Sequence, residues 1–316
     1  MILVTGGTGF IGSALVNRLA SMGEQILYTT RKAYQPPAFK HQTSLIIPTI
    51  DGHTDWTGAL DVVSLVIHTA ARVHVMYDNA VDPLAEFRRV NVSGTLNLAR
   101  QAAASGVRRF VFISSIGVNG NSNTRPFTEV DEPRPVEPYA LTKLEAEQGL
   151  ARLAVETGME VVIIRPPLVY GPNAPGNFGV LLRWLTKGVP LPLGAIDNRR
   201  SLVGLGNLAD FIITCLDHPA AANQTFLVAD GEDLSTTELL RRMAAALGRP
   251  ARLVPFPQSF LTAGLRIIGK GALAQRLCGS LQVDTGKART LLGWRPPLSV
   301  DQGLAAAARP FLESNH

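Results

Sequence analysis

Met1-Ile2-Leu3-Val4-Thr5-Gly6-Gly7-Thr8-Gly9-Phe10-Ile11-Gly12 decides the fold. An apolar strand runs into Gly6, Gly7, Gly9 and Gly12, and an apolar helical period follows through Leu19 or Ala20. The spacing satisfies GxxGxxG from Gly6 and GxGxxG from Gly7. Glycines at those positions let the backbone approach a pyrophosphate, and the helix behind them offers amide donors and the positive end of its dipole. Between a strand and a helix at the head of an α/β chain, such a loop predicts dinucleotide binding.

Working outward, residues 25–30, 45–47, 62–67, 109–113 and 159–164 read as buried strands, and 84–104 and 139–157 as helices. Strand–helix alternation over the first 165 residues predicts a right-handed, doubly wound parallel sheet. The run Arg165-Pro166-Pro167-Leu168-Val169-Tyr170-Gly171-Pro172 is too rich in proline to continue the last strand. From 173 to 200 the composition shifts to Pro, Gly and Asn, the expected start of a substrate-binding lobe. Thr225 to Val228 reads as a late strand, and Ser235 caps a helix over 236–247 with Glu238 at its third position. Residues 259–282, with Arg266, Lys270 and Arg276, form an amphipathic stretch. They read either as a helix pair closing the lobe or as a membrane-surface patch.

The totals fit this architecture. The chain has 316 residues, 46% hydrophobic and 17% charged, enough for a large core. No apolar run reaches the length of a membrane span, and the opening strand leaves no room for a signal peptide, so a cytoplasmic protein is expected. Cys215 and Cys278 lie far apart without ligand spacing, so neither a disulfide scaffold nor a metal site is expected. The net charge of +5 comes from scattered basic residues. That argues against a nucleic-acid partner and suits an anionic small substrate.

The chemistry is expected on the helix that opens Pro138-Tyr139-Ala140-Leu141-Thr142-Lys143. Tyr139 and Lys143 are four apart and share a helix face. A phenol with a pKa of about 10 is no general base near neutrality, but an adjacent ammonium favours the phenolate. Reaching about 7 needs about 4 kcal/mol, within the reach of a close, partly desolvated cation helped by a positive cofactor ring. The pair reads equally as a surface Tyr and Lys. Ser114 and Ser115 end the strand 109–113, at the carboxyl edge where parallel sheets bind ligands, or are turn formers. His68 ends a buried strand and reads as structural. About twenty residues past the first glycine stand Arg31 and Lys32 rather than an acid, which favours the 2′-phosphate of NADP(H) over NAD(H).

Together Thr5 to Gly12, the Asn91 helix, Ser114-Ser115, Tyr139 with Lys143, Arg165-Pro166-Pro167 and Arg200-Ser201 resemble the extended short-chain dehydrogenase/reductase family, over nearly the whole chain. The likeness is to its nucleotide-sugar epimerases and reductases. It implies a Rossmann domain over 1–165, with segments returning near 201–229, and a smaller, mainly substrate-binding lobe over 166–316. By resemblance, Ser115, Tyr139 and Lys143 are catalytic. The cofactor falls to Gly6, Gly9, Phe10, Ile11, Gly12, Arg31, Lys32, Asp51, Ala70, Ala71, Asn91, Ser114, Lys143 and Pro166. Arg72, His74, Ser115, Asn177 and Arg200 fall on the UDP-linked sugar, Asn177 and Arg200 at its pyrophosphate. A homodimer through the helices near 84–104 and 139–157 is implied.

Two departures from the family pattern stand out. Val118-Asn119-Gly120 replaces Val-Tyr-Gly, which is expected to reshape the sugar pocket. Ile116 and Gly117 occupy the places of the dehydratases' Asp-Glu pair, so dehydration lacks its proton carriers. The first expectation is a 4-keto reductase forming UDP-N-acetyl-quinovosamine for surface polysaccharide. The alternatives are a UDP-glucose or UDP-N-acetylglucosamine 4-epimerase and a non-catalytic dinucleotide sensor.

Overall fold

The structure is a computed structural model that describes residues 1–32, 41–73 and 82–313. Its first half alternates as the sequence predicts: β1 (Ile2–Thr5), α1 (Phe10–Ser21), β2 (Ile26–Thr30), β3 (Gln42–Ile46) and β4 (Leu65–His68). Then follow α2 (Pro83–Arg88), α3 (Thr95–Ala104), β5 (Arg109–Ile113), α4 (Pro138–Thr157) and β6 (Glu160–Arg165). The second half contains β7 (Leu168–Tyr170), α5 (Gly176–Thr186), β8 (Arg200–Gly204), α6 (Leu205–Asp217), β9 (Thr225–Leu227) and β10 (Asp233–Leu234). It ends with α7 (Thr236–Ala246), α8 (Gln258–Ile267), α9 (Gly271–Cys278), α10 (Gly286–Leu292) and α11 (Val300–Glu313).

Seven strands form one sheet in the order β3-β2-β1-β4-β5-β6-β9, every neighbouring pair parallel. Side chains alternate across it, as the pleat requires. Ile2 and Val4 pack with Leu15, Leu19, Phe211 and Ile212 on one face. Leu3, Val66, Phe110 and Phe112 pack with Leu98, Ala146 and Leu150 on the other. A third core, of Phe178, Leu182, Leu202, Leu240, Met243 and Leu304 among others, fills the C-terminal lobe.

β6 ends at Arg165, as the prolines of 166–172 predict, but two features go beyond expectation. Leu168–Tyr170 is a strand despite its flanking prolines, because it leaves the large sheet and joins a small one in the order β10-β8-β7. The expected helix over 84–104 is broken by a wider π-turn at Arg89–Gly94, a form that often marks functional sites. The N-cap at Ser235 is as expected, its hydroxyl accepting the Glu238 amide at 3.0 Å.

Candidate functional site

The glycine loop is held by its neighbours. The Gly6 and Gly7 amides donate to the side chain and carbonyl of Thr29, at 2.9 and 3.0 Å. Gly6 has φ +68°, where glycine is strain-free, and a Cβ at Gly12 would lie 2.1 Å from the Gly6 carbonyl oxygen. The turn therefore closes only with glycine at 12. No side chain caps α1 and no acid stands in its first turn, so its leading amides face the loop. Arg31 and Lys32 are exposed directly behind β2, their turn held by the Thr30 hydroxyl on the Lys32 carbonyl at 2.7 Å.

His68 ties this loop to the π-turn. The Thr95 hydroxyl donates to the Asn91 carbonyl, so it receives Nε2–H of His68 at 2.9 Å. Nδ1 is left to accept the Thr5 hydroxyl at 2.7 Å. Burial pushes the imidazole down to about 3, with the Lys143 charge adding to it, so His68 is a neutral strut. The Asn91 side chain accepts the Arg72 amide and donates to the Arg72 carbonyl and to Thr142, clamping the strand end to α4. Ala70 and Ala71 lie between these groups, half-buried, with the Ala70 amide on Thr5 Oγ1.

Helix α4 presents Tyr139, Lys143 and Glu147 at i, i+4 and i+8 on one face. Lys143 is buried. Its Nζ donates to the Ile113 carbonyl at 2.8 Å, 4.3 Å from the Phe112 ring centroid and 5.8 Å from that of Tyr139. Desolvation brings this ammonium down to about 7, against the pull of Glu147. Tyr139 does not follow the expected tuning, since burial pushes it up to about 12. Burial alone accounts for this push, and Lys143 adds no opposing pull on the phenol.

The two serines divide. Ser114 points inward and donates to Glu147 at 2.5 Å. Ser115 remains half-buried at the edge and its Oγ accepts the Gly117 amide at 3.1 Å, which leaves its own proton for a ligand. Gly117 sits between them and α4: a Cβ there would be 3.1 Å from Ala140 Cβ and 3.3 Å from Ser115 Oγ. Asn119 is buried, accepting Arg165 at 2.9 Å and donating to the Thr128 carbonyl. Arg165 also forks onto Glu147 with both its Nε and Nη2. The sequence reading missed this buried Ser114–Glu147–Arg165–Asn119 network. Its one signal was the carboxylate a further turn beyond Lys143.

The remaining candidates scatter. Pro166 is buried behind Ser115, its carbonyl receiving the Ile116 amide. Asp51 is bound into its own turn and to Arg89 at 2.9 Å, and the His53 amide and then Arg89 hold it below the usual carboxylate range. Asn177 is exposed in the first turn of α5, and Arg72 lies over the Phe87 ring. His74 lies outside the described residues. Arg200 donates to the Gly279 carbonyl at 3.0 Å, and desolvation and then Arg276 push its guanidinium down. Arg276, unassigned by the sequence reading, pairs with Glu137 at the N-cap of α4 at 2.8 Å. Two guanidinium groups near one another, beside the start of the Tyr139 helix, form an anion-attracting corner.

Against known proteins, a model described as the NAD dependent epimerase/dehydratase family matches residues 2–229. A "UDP-glucose 4-epimerase" of Vibrio cholerae is 44% identical over 100% of this chain and 96% of its own. The fold is shared with a UDP-glucose 4-epimerase of Thermotoga maritima solved with UDP-glucose, at TM-score 0.78 and 22% identity, covering 100% and 99% of the two chains. It is shared equally with MoeE5 in complex with UDP-glucose and NAD, at TM-score 0.79 and 24% identity, covering 100% and 99%.

Proposed function

The chain belongs to the NAD-dependent epimerase/dehydratase family of extended short-chain dehydrogenase/reductases, and on that premise we propose that it is a UDP-hexose 4-epimerase. The observation that carries this reading is the face of α4. It places Tyr139 and Lys143 one turn apart, beside Ser115 and at the sheet edge that holds the glycine loop. The whole-length likeness to a relative named UDP-glucose 4-epimerase supports the choice of substrate.

The glycine loop fits a dinucleotide, since its tight turn closes only with glycine at 12 and leaves the leading α1 amides uncapped. Gly6, Gly9, Phe10, Ile11 and Gly12 would hold the pyrophosphate through backbone amides, and Ala70, Ala71 and Lys143 the nicotinamide ribose. When bound, the dinucleotide supplies the hydride acceptor and donor and a positive ring that opposes the upward push on Tyr139. Tyr139 takes the proton of the sugar C4 hydroxyl as that carbon becomes a carbonyl, and returns it on reduction. Ser115 donates its free proton to the same oxygen, stabilising developing alkoxide. Lys143 spends one of three donors on Ile113 and turns the others to ribose. Arg200 holds the diphosphate with Arg276 as a second cation. Epimerisation would require the keto-sugar to turn over between the two proton transfers at Tyr139.

Residues 1–165 with 201–229 serve as the nucleotide domain and 166–316 mainly as the sugar lobe. Two copies pair through α3 and α4. Dehydration is disfavoured, because Ile116 and Gly117 supply no acid or base beside Ser115. A second reading rests on Arg31 and Lys32: a 4-keto reductase using NADPH, which forms UDP-N-acetyl-quinovosamine for surface polysaccharide. One experiment separates the two. Purified protein is given UDP-glucose or UDP-N-acetylglucosamine, and separately UDP-4-keto-6-deoxy-N-acetylglucosamine with NADPH. C4 epimers in the first arm support the epimerase. NADPH oxidation in the second without epimers in the first overturns it.

A further inference from the structure

The segment between Glu238 and Asp284 carries seven basic residues and no acidic one. The rest of the chain has 23 basic against 25 acidic residues, so the whole positive excess resides in this segment. Its outermost part is the α8–α9 hairpin. No residue of α8 is buried. Leu261 and Leu265 are half-buried, and Leu261 packs on the lobe core. Phe260, Ala263, Gly264 and Ile267, at i, i+3, i+4 and i+7, form one stripe, and all four are exposed. The face turned to water is thus apolar, the reverse of an ordinary surface helix. Phe260 is 68% exposed and Ile267 85%, and Ile268, Val254 and Phe256 on the same segment are also exposed. Arg252, Arg266 and Lys270 lie on the same segment, all exposed and in no ion pair among the described residues.

We propose that this hairpin docks the protein on the surface of an anionic lipid bilayer. Phe260 and Ile267 enter the headgroup boundary while Arg252, Arg266 and Lys270 meet lipid phosphates. A second copy is the poorer occupant, because an isologous contact would set this cationic rim against itself. Among the described residues no helix is long and apolar enough to cross a membrane, so the contact is with the surface. The far end of the hairpin carries Arg276, paired to Glu137 at the head of the Tyr139 helix, so docking sets the anion-attracting corner beside the bilayer. Docking is independent of the reaction catalysed.

The test is co-sedimentation of the full chain with unilamellar vesicles. It should pellet with vesicles of equal parts phosphatidylglycerol and phosphatidylcholine, stay in solution with phosphatidylcholine alone, and be released by added NaCl. Phe260→Glu/Ile267→Glu and Arg266→Glu/Lys270→Glu should each weaken binding at least about tenfold while leaving the thermal midpoint unchanged, since these side chains touch no core. No binding to anionic vesicles at low salt overturns the proposal, as does wild-type binding by the Phe260→Glu/Ile267→Glu protein. Sedimentation velocity without lipid supplies the remaining arm: a larger species that Phe260→Glu/Ile267→Glu splits would assign the face to self-association and overturn lipid docking.

Discussion

Replacing Glu147 tests the network beneath the reactive face. Its carboxylate is 5% exposed and receives Arg165, 7% exposed, at 2.6 Å. It also accepts the Ser114 hydroxyl. In Glu147→Gln the amide oxygen still accepts from Ser114 and Arg165 Nε, but the second acceptor becomes a donor facing Nη2 and the buried guanidinium loses its counter-charge. Breaking a buried pair from one side costs about 3–5 kcal/mol. At about 2–4 °C per kcal/mol, the melting midpoint should fall by roughly 6–20 °C. The double variant Glu147→Leu/Arg165→Met removes both charges and replaces them with apolar volume. It should recover more than half of that loss, because no charge is then stranded. Calorimetry or far-UV circular dichroism at pH 7 reads both. A single variant that melts within about 1 °C of wild type would refute the assigned burial energetics. A double variant no better than the single would refute the pairing.

Three further outcomes follow from particular contacts. His68 titrates near 6.5 when unfolded and about 3 when folded, so the unfolded chain binds the extra proton. Its stability contribution is therefore complete above about 6.5 and drains as pH falls toward 3, at up to about 1.4 kcal/mol per pH unit; chemical denaturation at pH 7 and 5 should show a slope that His68→Gln lessens. Gly12→Ala drives a Cβ into the Gly6 carbonyl and should weaken dinucleotide binding at least about tenfold by titration calorimetry. Arg276→Met should raise KM for the UDP-sugar about tenfold with kcat little changed, the signature of lost uniform binding.

Much of this was legible in the chain. The glycine loop, the parallel strands and the Tyr139–Lys143 pair are local patterns, and local patterns survive folding. Ser114 and Ser115 illustrate what could have been read further. Adjacent strand residues point to opposite faces, so only one of them could face a ligand. β7 was hidden because Pro166, Pro167 and Pro172 bar a central strand but not an edge of a small separate sheet. The Glu147–Arg165 pair spans 18 positions and two elements, and no periodicity reports it. The spacing shows that Lys143 stands one turn from Tyr139, but not how strongly burial acts on the phenol. The α8 period likewise shows amphipathicity without telling which face turns outward.

The most direct measurement of the central claim is epimer formation from UDP-glucose by Tyr139→Phe, followed by proton NMR, with dinucleotide affinity measured on the same preparation. Losing the phenolic oxygen should cut turnover by roughly 10²–10⁴-fold and leave the dinucleotide bound as in wild type. Undiminished turnover by the phenylalanine protein would show that the proton travels by another route, and the proposed chemistry of the α4 face would be wrong.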